Sequence, residues 1–309
     1  MSFKRRIINL IAGNAMLATT LFSGLLVVAI GAALYWRSRP LLASRSLSQL
    51  LFGETWQPST GQFGLKPFII GTFWVTGLAV IIAVPLCLLT AIYLAEYAAP
   101  RVRSSIKPLV DLLAGIPSVV YGVWGVLVVV PFVADVLGPY AAKHWKGIPI
   151  MATEFTTGFS ILTGGMVLAI MVFPVIISVS EEVLRAVPAE YREASLALGA
   201  NRLETVMKVV VRKALPGLAA AVVLGVSRAL GETMAVLMVV GNVPILPKSV
   251  FDAGYPLPAL IANNYGEMMS IPLYDSALLG CAFLLLIIVL LFNIAARLVL
   301  VRAVRSSQS

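Results

Sequence analysis

Within a long apolar run at residues 216–241, two charged side chains stand four residues apart: Arg228 and Glu232, in the stretch LGVSRALGETMAVLMVVGN. A charge in the middle of a bilayer costs at least about 2.5–3.5 kcal/mol on insertion scales, so it normally faces a bundle interior or a wet cavity. A guanidinium in such a place offers forked, charge-assisted hydrogen bonds to an oxyanion. A carboxylate one turn later either locks the arginine in an i,i+4 pair or keeps the site from holding its anion too tightly, since a transport site must release what it binds. At about 100° per residue the two side chains project within roughly 40° of each other. Ala221, Gly225 and Ala235 share that side, while Val223, Val226, Leu230 and Leu237 lie opposite. Such a helix turns a small polar face to its neighbours and a bulky one to lipid. The structural pair and the anion path are both open on these residues alone.

A second cluster is GIPSVVYG, at residues 115–122. Pro117 interrupts the hydrogen-bond ladder, and Gly115 and Gly122 loosen it further. Ser118 and Tyr121 place hydroxyls beside the break, where they contact an anion or satisfy freed carbonyls. Pro85 and Pro174 are similar interruptions with no chemistry indicated, and Asn242 reads as a helix end. The single histidine, His144, lies in a polar loop without companion ligands, so no metal site is expected. Cys87 and Cys281 sit in apolar runs and read as small buried hydrophobes rather than a disulfide.

The elements that must position these groups follow from composition. Of 309 residues, 60% are hydrophobic and 12% charged, with a mean hydropathy of +0.96. That excludes a soluble domain of this size and fits an all-α membrane protein, in which each span takes about 20 apolar residues. Six spans are expected, near residues 15–36, 68–93, 112–133, 159–179, 216–241 and 277–296. The basic N-terminal segment is too long and apolar for a signal-peptide core and reads as a retained span. Lys and Arg number 15 in the N-terminal tail, the second and fourth loops and the C-terminal tail, against 7 in the other loops. Both termini are therefore expected on the cytoplasmic side. The same asymmetry accounts for the net charge of +9 without nucleic acid, for which no basic stripe or aromatic platform is visible. In the first outer loop, Leu47, Leu50, Leu51 and Phe52 suit a short interfacial helix with Trp56 at headgroup level, or a simple tether.

The fourth loop is the longest inner one, SEEVLRAVPAEYREASLALGANRLETVMKVVVRKALPG. Pro188 suits the first turn of a short helix, Glu190 and Glu193 its positive end, and Gly199 its C-terminal cap. Asn201 then caps a second helix, with Glu204 three residues on. The small surface of Ala194, Leu196, Ala197 and Leu198 either docks into a partner's groove or is a solvated connection.

EASLALGA at residues 193–200, followed by ALPG, resembles the EAA loop of ABC-importer permeases. The Leu215-Pro216 pair stands four residues later than that family's usual pattern. AGIPSVVYGVWG, SRALGETMAVLMVVGN and LFGETWQP are similar to the PstC-type permeases of phosphate ABC importers, a likeness that extends over nearly the whole chain. The resemblance implies a type I ABC-importer permease fold: an N-terminal helix and outer loop at residues 1–65, a permease domain at 66–302 with a coupling loop at about 181–216, and a tail at 303–309. It implies phosphate translocation across the inner membrane of a prokaryote, with Arg228, Glu232, Ser118 and Tyr121 along the path. Glu193, Ala194 and Gly199 would belong to the ATPase-coupling loop. The implied partners are a PstA-type sister permease, two PstB-type ATPase subunits and a PstS-type phosphate-binding protein outside the cytoplasm. No cofactor and no catalysis in this chain are expected, and no G-x-x-x-x-G-K-[ST] phosphate loop occurs. Alternatives are a permease for molybdate, sulfate or phosphonate, a secondary anion transporter, which would need coupling-ion sites and an internal repeat, and an anion channel.

Overall fold

A computed structural model describes residues 3–145, 147–152, 157–267, 271 and 273–306. Lys146, counted in the third loop, and the last three residues of the expected tail lie outside them. The helices in chain order are α1 (Phe3–Ser44), α2 (Leu47–Phe52), α3 (Lys66–Tyr97), α4 (Pro100–Ala114), α5 (Ser118–His144) and α6 (Ile161–Arg185). They continue with α7 (Ala189–Ala197), α8 (Arg202–Leu230), α9 (Met234–Val239), α10 (Leu257–Asn264) and α11 (Tyr274–Ser306). Among the described residues, six helices are long and apolar enough to span a membrane: α1, α3, α5, α6, α8 and α11.

The helices are arranged around α6, which packs on α3, α4, α8 and α9. Two-thirds of its most apolar window (67%) is buried, against none for α1, so α6 is the hub and α1 the periphery. Close approach depends on small residues. A Cβ on Gly225 of α8 would fall 2.5 Å from Cγ1 of Ile176 on α6. The buried stripe of α8 is Ala214, Leu218, Ala221, Gly225 and Ala229. Leu230, expected toward lipid, is buried.

Two expected spans differ. The one placed at 112–133 is divided: α4 ends at Ala114, and α5 begins at Ser118 and runs on to His144. Pro117 lacks an N–H and drives its predecessor out of helical geometry, so the break is complete rather than a kink. The apolar end of α4 had made the two helices look continuous. His144 is consequently a helix end, stacked on Tyr140 with ring centroids 4.3 Å apart, and not a loop residue. By contrast, α3 and α6 run unbroken through Pro85 and Pro174.

After α2, the strands β1 (Trp56–Gln57) and β2 (Gln62–Phe63) pair antiparallel, with Trp56 opposite Phe63. Trp56 is half-buried. Its ring meets Phe63 and Phe68 edge-on, at 5.5 and 5.1 Å, in the edge-to-face arrangement that ring quadrupoles favour. Of the apolar residues of α2, Leu50 is buried while Leu47 and Phe52 are exposed.

Candidate functional site

The span expected at 216–241 also breaks, at the residues of interest. α8 ends at Leu230, and Arg228 lies in its last turn. Glycine loses more conformational freedom than any other residue in a helix, and Gly231 closes the ladder with its N–H on the Arg228 carbonyl at 3.3 Å. The Thr233 hydroxyl bonds the Gly231 carbonyl at 3.3 Å, a local alternative to helix geometry. Glu232 stands in the gap ahead of α9, and its Oε1 accepts the Ala235 N–H at 3.2 Å. A carboxylate there answers the orphan donors and positive end of the new helix. Arg228 and Glu232 are thus not on one helix, and among the described residues no ion pair joins them. Of the two readings left open, the i,i+4 pair is not formed in this structure.

Arg228 is exposed beside the buried stripe of α8, and Glu232 is half-buried. Glu232 borders a small interior cavity with Thr72, Thr76, Pro256 and Pro258. Tyr121 is buried and within electrostatic reach of Arg228. Its hydroxyl donates to the Leu113 carbonyl at 2.8 Å, one of those freed where α4 ends. Ser118 opens α5 one turn before Tyr121 and is half-buried. The fold therefore commits the Tyr121 hydroxyl to the α4–α5 break, leaves Arg228 exposed, and sets Glu232 to a helix terminus.

The coupling segment follows its sequence signals closely. α7 ends in Gly199, at φ +87° with open space around it, as a left-handed C-terminal cap requires. Asn201 and Glu204 then form a reciprocal capping box: Asn201 Oδ1 accepts the Glu204 N–H at 2.9 Å, and Glu204 Oε2 accepts the Asn201 N–H at 3.1 Å. Glu193 and Ala194 are exposed, and Leu198 is 90% exposed at the corner between α7 and α8.

Residues 83–305 match the family described as "Binding-protein-dependent transport system inner membrane component". This chain belongs to that family. The phosphate transport system permease protein PstC of Xylella fastidiosa (strain Temecula1) is 37% identical over 295 residues, spanning 94% of this chain and 90% of the relative. PstC of Mesorhizobium japonicum is 37% identical over 82% of this chain and 78% of its own. Among solved structures, the inward-facing MetNI methionine ABC transporter matches with a TM-score of 0.52 at 20% identity, over 78% of this chain and 94% of that one. That likeness concerns the fold.

Family membership makes this chain a multi-pass membrane permease subunit that works with a substrate-binding protein and an ATPase. Two features of the permease escaped the sequence reading. Lys107 on α4 bridges Glu182 and Glu181 of α6 at 3.0 and 3.1 Å, while Ser178 donates to Asp111 at 2.9 Å. The Glu182 and Glu181 carboxylates hold the Lys107 ammonium above the usual lysine range. Glu96, at the end of α3, pairs with Arg192 of α7. A carboxylate closing an apolar span, in LAEYAAP, was the one available sign of the second contact.

Proposed function

We propose that this chain translocates inorganic phosphate as the permease subunit of an ATP-driven importer in a prokaryotic inner membrane, beside a PstA-type sister permease. Two PstB-type ATPase subunits dock beneath the permease pair, one of them on α7, and a PstS-type binding protein delivers phosphate from the opposite side. The observation that carries the reading is likeness to PstC permeases along nearly the entire chain, 37% over 94% of it. The basic-residue asymmetry supports an inward placement of both termini. The chain itself performs no catalysis.

The geometry supports a role for Arg228 in the path. Its guanidinium stands in the last turn of an apolar span, and among the described residues no carboxylate pairs with it. Phosphate supplies that partner in transit, through the forked hydrogen bonds a guanidinium offers. Tyr121 and Ser118 line the approach, Tyr121 chiefly by closing the α4–α5 break. Glu232 fixes the start of α9 and with it the position of the break beside Arg228. Glu193, Ala194 and Gly199 shape the ATPase-docking corner.

The test is uptake of radiolabelled phosphate into vesicles holding this chain, its sister permease and the ATPase, with binding protein and ATP supplied. Wild-type uptake should require ATP and resist sulfate and molybdate. Arg228→Ala should assemble normally and lose uptake. Normal uptake by the variant would remove Arg228 from the path, and full competition by sulfate or molybdate would reassign the substrate.

A further inference from the structure

Only 8% of the Glu96 side chain is exposed, and its carboxylate takes two prongs of Arg192: Nη2 donates to Oε1 at 2.6 Å and Nε to Oε2 at 3.2 Å. The same guanidinium reaches carbonyls at the end of α6, Leu184 at 3.0 Å from Nη2 and Val187 at 2.6 Å from Nη1. Arg202, the first residue of α8, donates to the Glu96 backbone carbonyl and lays its guanidinium 4.8 Å over the Tyr97 ring. One residue at the end of α3 therefore ties together α3, α7 and the start of α8, and through Arg192 the end of α6.

We propose that Glu96 and Arg192 are positioning residues that carry ATPase-driven movement of α7 into the spans, and so to the Arg228 end of the permease. The inference rests on α7 being the ATPase-docking helix, as read above. A helix held by apolar packing alone can rock in place when pushed. A planar fork bonded to a nearly buried carboxylate fixes both direction and separation. Lysine, a point charge on a flexible stem, cannot reproduce it. The lever beyond the node is α8, 29 residues from Arg202 to Leu230, about 40 Å at 1.5 Å per residue. Arg228 sits in its last turn, and the Ser195–Thr205 hydroxyl pair at 2.9 Å reinforces the joint at its first.

The experiment measures phosphate moved per ATP hydrolysed by the full complex in vesicles, for wild type, Glu96→Gln, Arg192→Lys, Arg192→Gln and the Glu96→Gln/Arg192→Gln double variant. The expected result is ATPase subunits retained and ATP hydrolysed at a rate near wild type, with phosphate per ATP reduced at least 10-fold in each single variant. The double variant should be no worse than the singles, because the residues act through each other. Wild-type phosphate per ATP in an assembled Glu96→Gln complex would overturn the proposal. So would loss of assembly in all variants including Arg192→Lys, which would make the contact structural only, or a double variant as poor as the product of the singles. Leu198→Asp, at the exposed residue just past α7, separates the two readings. If it leaves the ATPase bound, the docking assignment has failed, whatever the coupling ratios show.

Discussion

Tyr121 is a hydroxyl inside a membrane span whose hydrogen bond is accounted for within the chain. Its donation to the Leu113 carbonyl replaces what water would do outside the bilayer. Tyr121→Phe should therefore cost about 1 kcal/mol, the net worth of a typical hydrogen bond, seen as a lowered unfolding temperature of the complex while phosphate uptake persists. Loss of uptake at unchanged stability would place the hydroxyl in the anion path instead. Residue types at this scale were readable in advance: a lone guanidinium and carboxylate in an apolar run stand out because charges there are costly. Their relationship was not. The i,i+4 geometry presumed a helix through Gly231, and the apolar residues on either side concealed that α8 had stopped. Glu96 and Arg192 were harder still, since nearly a hundred residues of chain separate two groups that meet only in the fold.

Among elements, α5 makes a close contact through Gly125. A Cβ there would fall 2.7 Å from Cγ2 of Val167 and 2.9 Å from Cγ1 of Val239. Valine is stiff about χ1 and has little room to yield. Gly125→Ala should destabilise by about 1–3 kcal/mol through overpacking. Gly77→Ala, inside α3 with nothing within 4 Å of the added Cβ, should be neutral or stabilising by up to about 1 kcal/mol. Paired thermal unfolding of the two variants checks the contrast. The α4–α6 tie has a pH dependence of definite sign. Lys107 is held above its ordinary value by the Glu182 and Glu181 carboxylates. Its contribution is complete below the ordinary lysine range, about 10.4, and is lost as pH rises through the raised value. Protection factors of α4 amides, corrected for base-catalysed intrinsic exchange, should stay flat through neutral and mildly alkaline pH and fall only beyond that range. Local signals served well for the turn from α7 to α8, where Gly199 and the Asn201–Glu204 capping box lie within a few residues of one another. They served poorly for α4 and α5, where Pro117 was recognised but the apolar content on both sides argued for one span.

At the level of the whole permease, the number of spans followed from composition, because six long apolar runs admit few alternatives in a bilayer. The orientation remains a prediction with a direct check. Cys87 and Cys281 are both buried, so a cysteine introduced by Leu198→Cys should be the site that reacts. A membrane-impermeant maleimide should label it in inverted vesicles and not in right-side-out ones. What composition could not reveal is the order of packing, with α6 at the centre and α1 outermost. α1 rests on α11, where Tyr35 lies 5.7 Å from Phe283 and Gly31 faces Leu286. The first span of this chain thus finds its partner in the last. During synthesis, at about 5–20 residues per second, α1 waits in the lipid for roughly 10–50 s before α11 arrives. Its long apolar surface must tolerate solitude in the membrane before it is asked to pack, which sets a requirement on biogenesis that the finished bundle does not display.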